Sequence, residues 1–163
     1  MRGLLPTTTA LSLGQIAQVN LSGSENFFIY RMHNPLTQFL FNSGNLLAGQ
    51  AVAIGGPASG ATNSQAVSVK RVVLRHWGFN GTVVAGSTNP SAGTFQMQIN
   101  GFAGLLIPQT VTVYVSTPTA YRTGLTAFSS VTASTNVRVV GLLLKDPVSG
   151  QTILLALYVD ALN

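Results

Sequence analysis

The sequence predicts an all-β protein made of two small five-stranded barrels in tandem, and three observations carry that expectation. Short runs of Val, Ile, Thr, Phe and Tyr alternate with Gly, Pro, Asn and Ser along all 163 residues, the pattern of short strands joined by tight turns. No helix longer than about three turns is demanded anywhere. The third observation is an internal duplication. From Phe27, FFIYR is followed by Asn34-Pro35, Phe39, a polar stretch, Ala51 to Gly55, and Gln65 to Val69. From Val111, VTVYV is followed by Thr117-Pro118, Tyr121, a polar stretch, Val137 to Gly141, and Gln151 to Leu155. The step from Gly55 to Gln65 equals that from Gly141 to Gln151.

Five strands are expected in the second unit, near 81–86, 94–100, 110–116, 136–145 and 151–160. Strict alternation places Phe95, Met97 and Ile99 on one face, ending at the turn-forming pair Asn100-Gly101. Asn80-Gly81 reads as a similar turn or as the start of a strand through Val83 and Val84. Val111, Val113 and Val115 form another half-buried strand. Asp146 to Gly150 is a turn, since Pro147 fixes one dihedral and Gly150 permits positive φ. The run from Ile153 to Val159 is apolar on both faces, as a strand covered by a second layer should be.

The first unit matches only the last four of these strands. Ile16 to Asn20 corresponds to Met97 to Asn100, Phe27 to Arg31 to Val111 to Val115, Gln50 to Gly55 to the fourth strand and Ala66 to Leu74 to the fifth. Ser43 to Gln50 and Thr123 to Ser130 each suit a short turn or helix. The first strand would have to come from Arg2 to Leu11, where Gly3, Pro6 and three threonines make a poor central strand. The expected organisation is therefore an extended segment over 1–12, a first barrel over 13–76 that lacks its own first strand, and a second barrel over 77–163.

Short strands in this order suggest a partly open barrel of oligonucleotide/oligosaccharide-binding type. Gly81 to Val84, Thr94 to Gly101, Val111 to Val113, Val137 to Gly141 and Gln151 to Ala156, with Leu47 to Gly56 in the first unit, resemble a bacterial β-barrel domain of unknown function. That OB-like domain occurs in tandem on exported and cell-envelope proteins. The resemblance implies an extracellular or envelope location and no catalytic residues.

Charged residues make up 7% of the chain against about 25% in ordinary domains. Little electrostatic repulsion therefore opposes self-association. The net charge of +5 comes from three acids and eight basic residues, which are scattered apart from one cluster at Lys70 to His76 and too sparse for the dense basic stripe of a typical nucleic-acid binder. Nucleic acid is thus disfavoured as a partner. There is no cysteine and hence no disulfide or Cys-based metal site. No apolar run reaches the about 18 residues needed to span a membrane as a helix.

Catalysis needs groups of suitable pKa brought together, and Glu25, Asp146 and Asp160 are the only carboxylates. Their positions in a loop, a turn and the C-terminal stretch do not suggest a facing pair. His33 and His76, the only histidines, have no zinc-ligand spacing, and no Gly-x-Ser-x-Gly elbow is present. No enzyme activity, metal or cofactor is expected.

Two candidate functional regions remain. Leu4, Leu5, Thr7, Thr8, Thr9 and Leu11 form an extended segment suited to completing the first barrel of another copy, which repeated head-to-tail builds a filament. The second region is Arg75, His76 and Trp77 with Arg138, where basic groups beside an indole offer phosphate contacts and a stacking surface for a sugar or single strand. The competing explanation is that Val72 and Leu74 finish a strand while Trp77 and Phe79 bury the joint between units. The expected function is a structural protein that self-assembles, with a glycan- or single-strand-binding module as the alternative and a cell-surface glycan as a further partner.

Overall fold

The computed structural model describes residues 18–30, 40–59, 66–100, 110–116 and 119–162. Among these residues twelve strands form in chain order: β1 Gln18–Asn20, β2 Asn26–Ile29, β3 Ala51–Gly55, β4 Ala58–Ser59, β5 Ala66–Ser68, β6 Arg71–Arg75, β7 Trp77–Val83, β8 Thr94–Ile99, β9 Thr110–Tyr114, β10 Ala120–Arg122, β11 Asn136–Lys145 and β12 Thr152–Ala161. Two 3₁₀ turns, Ser43–Asn45 and Phe128–Ser130, precede β3 and β11. Both lie within the stretches where the sequence suits a short turn or helix.

Strands β7, β8, β9, β12 and β11 close into a barrel of OB-like type. Every pairing around it is antiparallel except that of β9 with β12. β10 continues along the same edge of β12, pairing in parallel with Tyr158, Val159 and Asp160 where β9 pairs with Ile153, Leu154 and Leu155. Thr119 fixes the passage between them. Its buried hydroxyl donates to the Ala156 carbonyl at 3.0 Å and accepts from the Ser116 amide. The barrel interior is filled by alternating residues: Phe79 and Val83, Phe95, Met97 and Ile99, Val111 and Val113, Val137 and Val139, with Leu143, Leu154 and Val159. This is the period-two pattern read from the sequence, translated into one apolar face.

Asn80-Gly81 is not a turn. Both residues lie inside β7, where Gly81 pairs with Val137 on one side and Ile99 on the other. A Cβ there would stand 2.4 Å from the Gln98 carbonyl oxygen and 2.6 Å from Met97 Cγ. Gly81 thus allows a close approach of strands. The turn at Asp146 forms as expected. Gly150 takes φ +70°, and the Asp146 carboxylate accepts from the Val148 amide at 2.8 Å and the Ser149 amide at 3.3 Å.

The N-terminal strands form two three-stranded sheets, in the orders β1-β5-β4 and β2-β6-β3. β1 and β2 run parallel to β5 and β6, while β4 and β3 run antiparallel to them. The arrangement repeats the way β9 and β10 share one edge of β12 while β11 takes the other. Register moves the sequence correspondence by one strand. Phe27 pairs with Val72 as Tyr121 pairs with Val159, and Val19 pairs with Val67 as Val113 pairs with Leu154. Phe27 therefore matches β10, not β9, and Val19 matches β9, not β8. Apolar runs of similar length look alike in a sequence, and only the pairing tells which edge position each holds.

A second core lies between these sheets and the barrel. It joins Phe41, Val69, Val72 and Leu74 to Leu142, Leu144, Ile153 and Leu155, with Phe27, Ile29, Val52, Ile54 and Tyr114 packed against it. The two-sided apolar character of β11 and β12 follows. Leu143 and Leu154 point into the barrel, while Leu144 and Ile153 point into the N-terminal layer. The Gln50 side-chain amide adds a hydrogen bond to the Leu143 carbonyl at 2.9 Å. Phe79 does not bury this joint; it is 2% exposed inside the barrel, and Trp77 is 38% exposed.

Candidate functional site

Two places in the fold bear on the regions singled out from the sequence. The first is the edge of β3. β11 is paired on both sides, by β12 and by β7. Its counterpart β3 is paired only by β6 among the described residues. β3 is half-buried along its whole length, with Val52 and Ile54 turned to the second core. Backbone groups on an unpaired strand edge are a template for another strand. Leu4, Leu5, Thr7, Thr8, Thr9 and Leu11 lie outside the described residues.

The second place is the exposed strip where the chain passes from the N-terminal layer into the barrel. Arg75 ends β6 and is exposed, His76 is the single residue between β6 and β7, and Trp77 opens β7 opposite Gly141. Arg138 comes against the start of β7 from β11. A Cβ on Gly78 would stand 2.9 Å from Arg138 Nε and 3.0 Å from one of its terminal nitrogens, so the guanidinium rests on the bare backbone of Gly78. Three of the four residues are consecutive, and the fourth, Arg138, lies against Gly78, the next residue along.

Sequence reasoning missed the partners of the arginines. Arg75 lies over the Tyr30 ring, 4.7 Å from its centroid, and Arg71 over the Phe28 ring at 4.6 Å. Phe28 and Tyr30 share parity on one strand, and Arg71 and Arg75 share it on the next. That coincidence was available in the sequence but meaningful only once β2 was known to pair with β6 in parallel. A third such contact sits on the barrel, with Arg122 over Tyr158 at 4.1 Å.

The carboxylates are committed to local geometry. Glu25 accepts from the amides of Ser22 and Gly23 and from the Ser22 hydroxyl. These bonds, the Ser22 amide foremost, hold its carboxyl below the usual range because they favour the ionised form. The Val148 and Ser149 amides lower Asp146 in the same way. Asp160 lies on β12 between Arg122 of β10 and Arg138 of β11 in register. Among the described residues no cluster of three or more His, Asp or Glu side chains is placed to hold a metal ion. No helix among them is long and apolar enough to cross a membrane. No family model, curated protein or solved structure matches this chain.

Proposed function

We propose that this protein is a non-enzymatic structural module of the cell exterior or envelope. It assembles by strand addition at an incomplete N-terminal barrel. The observation that carries this reading is the contrast between β11, held on both edges, and its counterpart β3, held on one among the described residues. An extended segment laid antiparallel on β3 would take the place that β7 takes on β11. Its backbone would satisfy the edge donors and acceptors, and its apolar side chains would extend the face formed by Val52 and Ile54.

Residues 1–12 of a second copy are the donor. They combine Leu4, Leu5 and Leu11 with the β-favouring Thr7, Thr8 and Thr9, and the low charge of the chain offers little repulsion to stacking copies. Because donor and acceptor are different surfaces, the contact is heterologous and propagates into a filament. The full chain should give large, ordered species that grow with concentration in light scattering and electron microscopy, and removal of residues 1–12 should abolish them. An unchanged size distribution after that deletion would refute strand donation.

A further inference from the structure

The outer face of the β2-β6-β3 sheet carries an arginine and aromatic ladder that strand assembly does not use. On β2, Phe28 and Tyr30 point away from the second core and are 45% and 39% exposed. On β6, exposed Arg71 and Arg75 lie over those two rings. Lys70, also exposed, precedes them. Two of the eight basic residues of the chain, Arg71 and Arg75, therefore share one face, each with an aromatic partner. The third strand presents only Ala51, Ala53 and Gly55 on this side, opposite Arg75, Val73 and Arg71. Nothing bulky on β3 obstructs the ladder. The nearest acid in sequence, Glu25, is engaged by the Ser22 and Gly23 amides of its own loop.

We infer that this face binds single-stranded nucleic acid. Phe28 and Tyr30 are two residues apart, so the capped rings repeat at about 7 Å along the strand. Each repeat presents one positive charge and one planar π-surface, the ring together with the guanidinium stacked on it. A single strand presents one phosphate and one planar base per nucleotide, and bases stack on aromatic rings and on arginine planes alike. An acidic polysaccharide would match the charges but has no planar group to match the stacked surfaces. Beside the ladder β3 presents only small residues, which leaves room for splayed bases rather than the closed stack of a duplex.

Fluorescence anisotropy with labelled 12-mer oligo-dT tests this on the full chain. Two phosphate contacts, from Arg71 and Arg75, predict a slope of about −1.4 in log affinity against log salt, at about −0.7 per phosphate for single strands. The R71Q/R75Q double variant should lose tenfold or more in affinity, and R138Q, on the barrel, should lose little. R71K/R75K keeps the charge but not the planar surface, so it should keep the salt slope and still bind several-fold more weakly. Thermal melting of each variant establishes that it is folded. The inference is overturned by absence of oligo-dT binding at low salt, by full affinity in R71Q/R75Q, or by unchanged affinity in R71K/R75K. Heparin binding as tight as oligo-dT would also overturn it, by showing a site for polyanions in general.

Discussion

Gly141 backs onto Leu155 so closely that a Cβ on the glycine would stand 2.2 Å from the Leu155 carbonyl oxygen. The site is the β-bulge of the β11/β12 hairpin, where the register shifts between Val140 and Gly141. Gly56 occupies the matching place in the N-terminal hairpin, with a Cβ position 2.0 Å from the Ser68 carbonyl oxygen. Bulges bend a strand and sharpen its twist, and each hairpin here bends beside such a glycine. Backbone cannot retreat as a flexible side chain can. Gly141→Ala should therefore cost about 3 kcal/mol, the upper end for overpacking, in chemical denaturation. Gly86, in a turn with open space around it and φ +70°, should cost about 1 kcal/mol on the same change, the strain of a left-handed residue.

Ile153 and Leu154 are neighbours that serve different cores. Ile153 is buried in the layer between the N-terminal sheets and the barrel, and Leu154 in the barrel itself. Either truncation to alanine should cost about 3 kcal/mol. The difference should appear in amide hydrogen exchange. Ile153→Ala should accelerate exchange in β6 more than in β8, and Leu154→Ala should do the reverse, because local opening follows the contacts that are lost. Equal acceleration in both strands for both variants would mean that the two cores open as one.

The barrel was legible because its strands alternate cleanly and end at turn residues: Phe95, Met97 and Ile99 announce their face without any tertiary knowledge. The apolar two-sidedness of Ile153 to Val159 likewise announced a covering layer. What could not be read was the neighbour of each strand. Phe27 and Val111 begin similar runs, yet β2 sits where β10 sits and β9 is matched by β1. Asn80-Gly81 left two readings open because the same dipeptide that favours a tight turn also lets two strands approach closely. The arginine and aromatic contacts needed both pieces of missing information: parity within β2 and β6, and the parallel pairing that sets one against the other.

Trp77 is the single tryptophan of the chain and is 38% exposed, so its emission reports on the strip at the junction. In the monomer it should be open to collisional quenching by acrylamide and iodide. Iodide should quench more than a neutral surface would allow, since Arg75 lies two residues before the indole and Arg138 rests on the residue after it, and both charges attract the anion at low salt. Raising the ionic strength with a non-quenching salt should bring the iodide value down towards the neutral expectation. The R75Q/R138Q variant should show the lower value at every ionic strength; an unchanged iodide response in that variant would place the two charges too far from the indole to act on it.

The Asp146 turn gives the fold a defined acid sensitivity. Its carboxylate accepts from the Val148 and Ser149 amides, which lower its pKa in the folded chain, while the unfolded chain keeps the ordinary value near 4. Folding therefore favours the ionised form. The contribution is whole above the unfolded value and is lost as pH falls through the lower folded value. Asp146→Asn keeps an acceptor oxygen but not the charge, so the variant should be less stable than the parent at neutral pH. The gap should close as pH drops below about 4, because the parent then protonates and loses the same charge-assisted bonds. Melting temperatures of both proteins from pH 7 to pH 2 measure this directly. A gap that stays constant across that range would show that the turn is held by its backbone bonds, Asp146 amide to Gln151 carbonyl and Gly150 amide to Asp146 carbonyl, with no part played by the carboxylate charge.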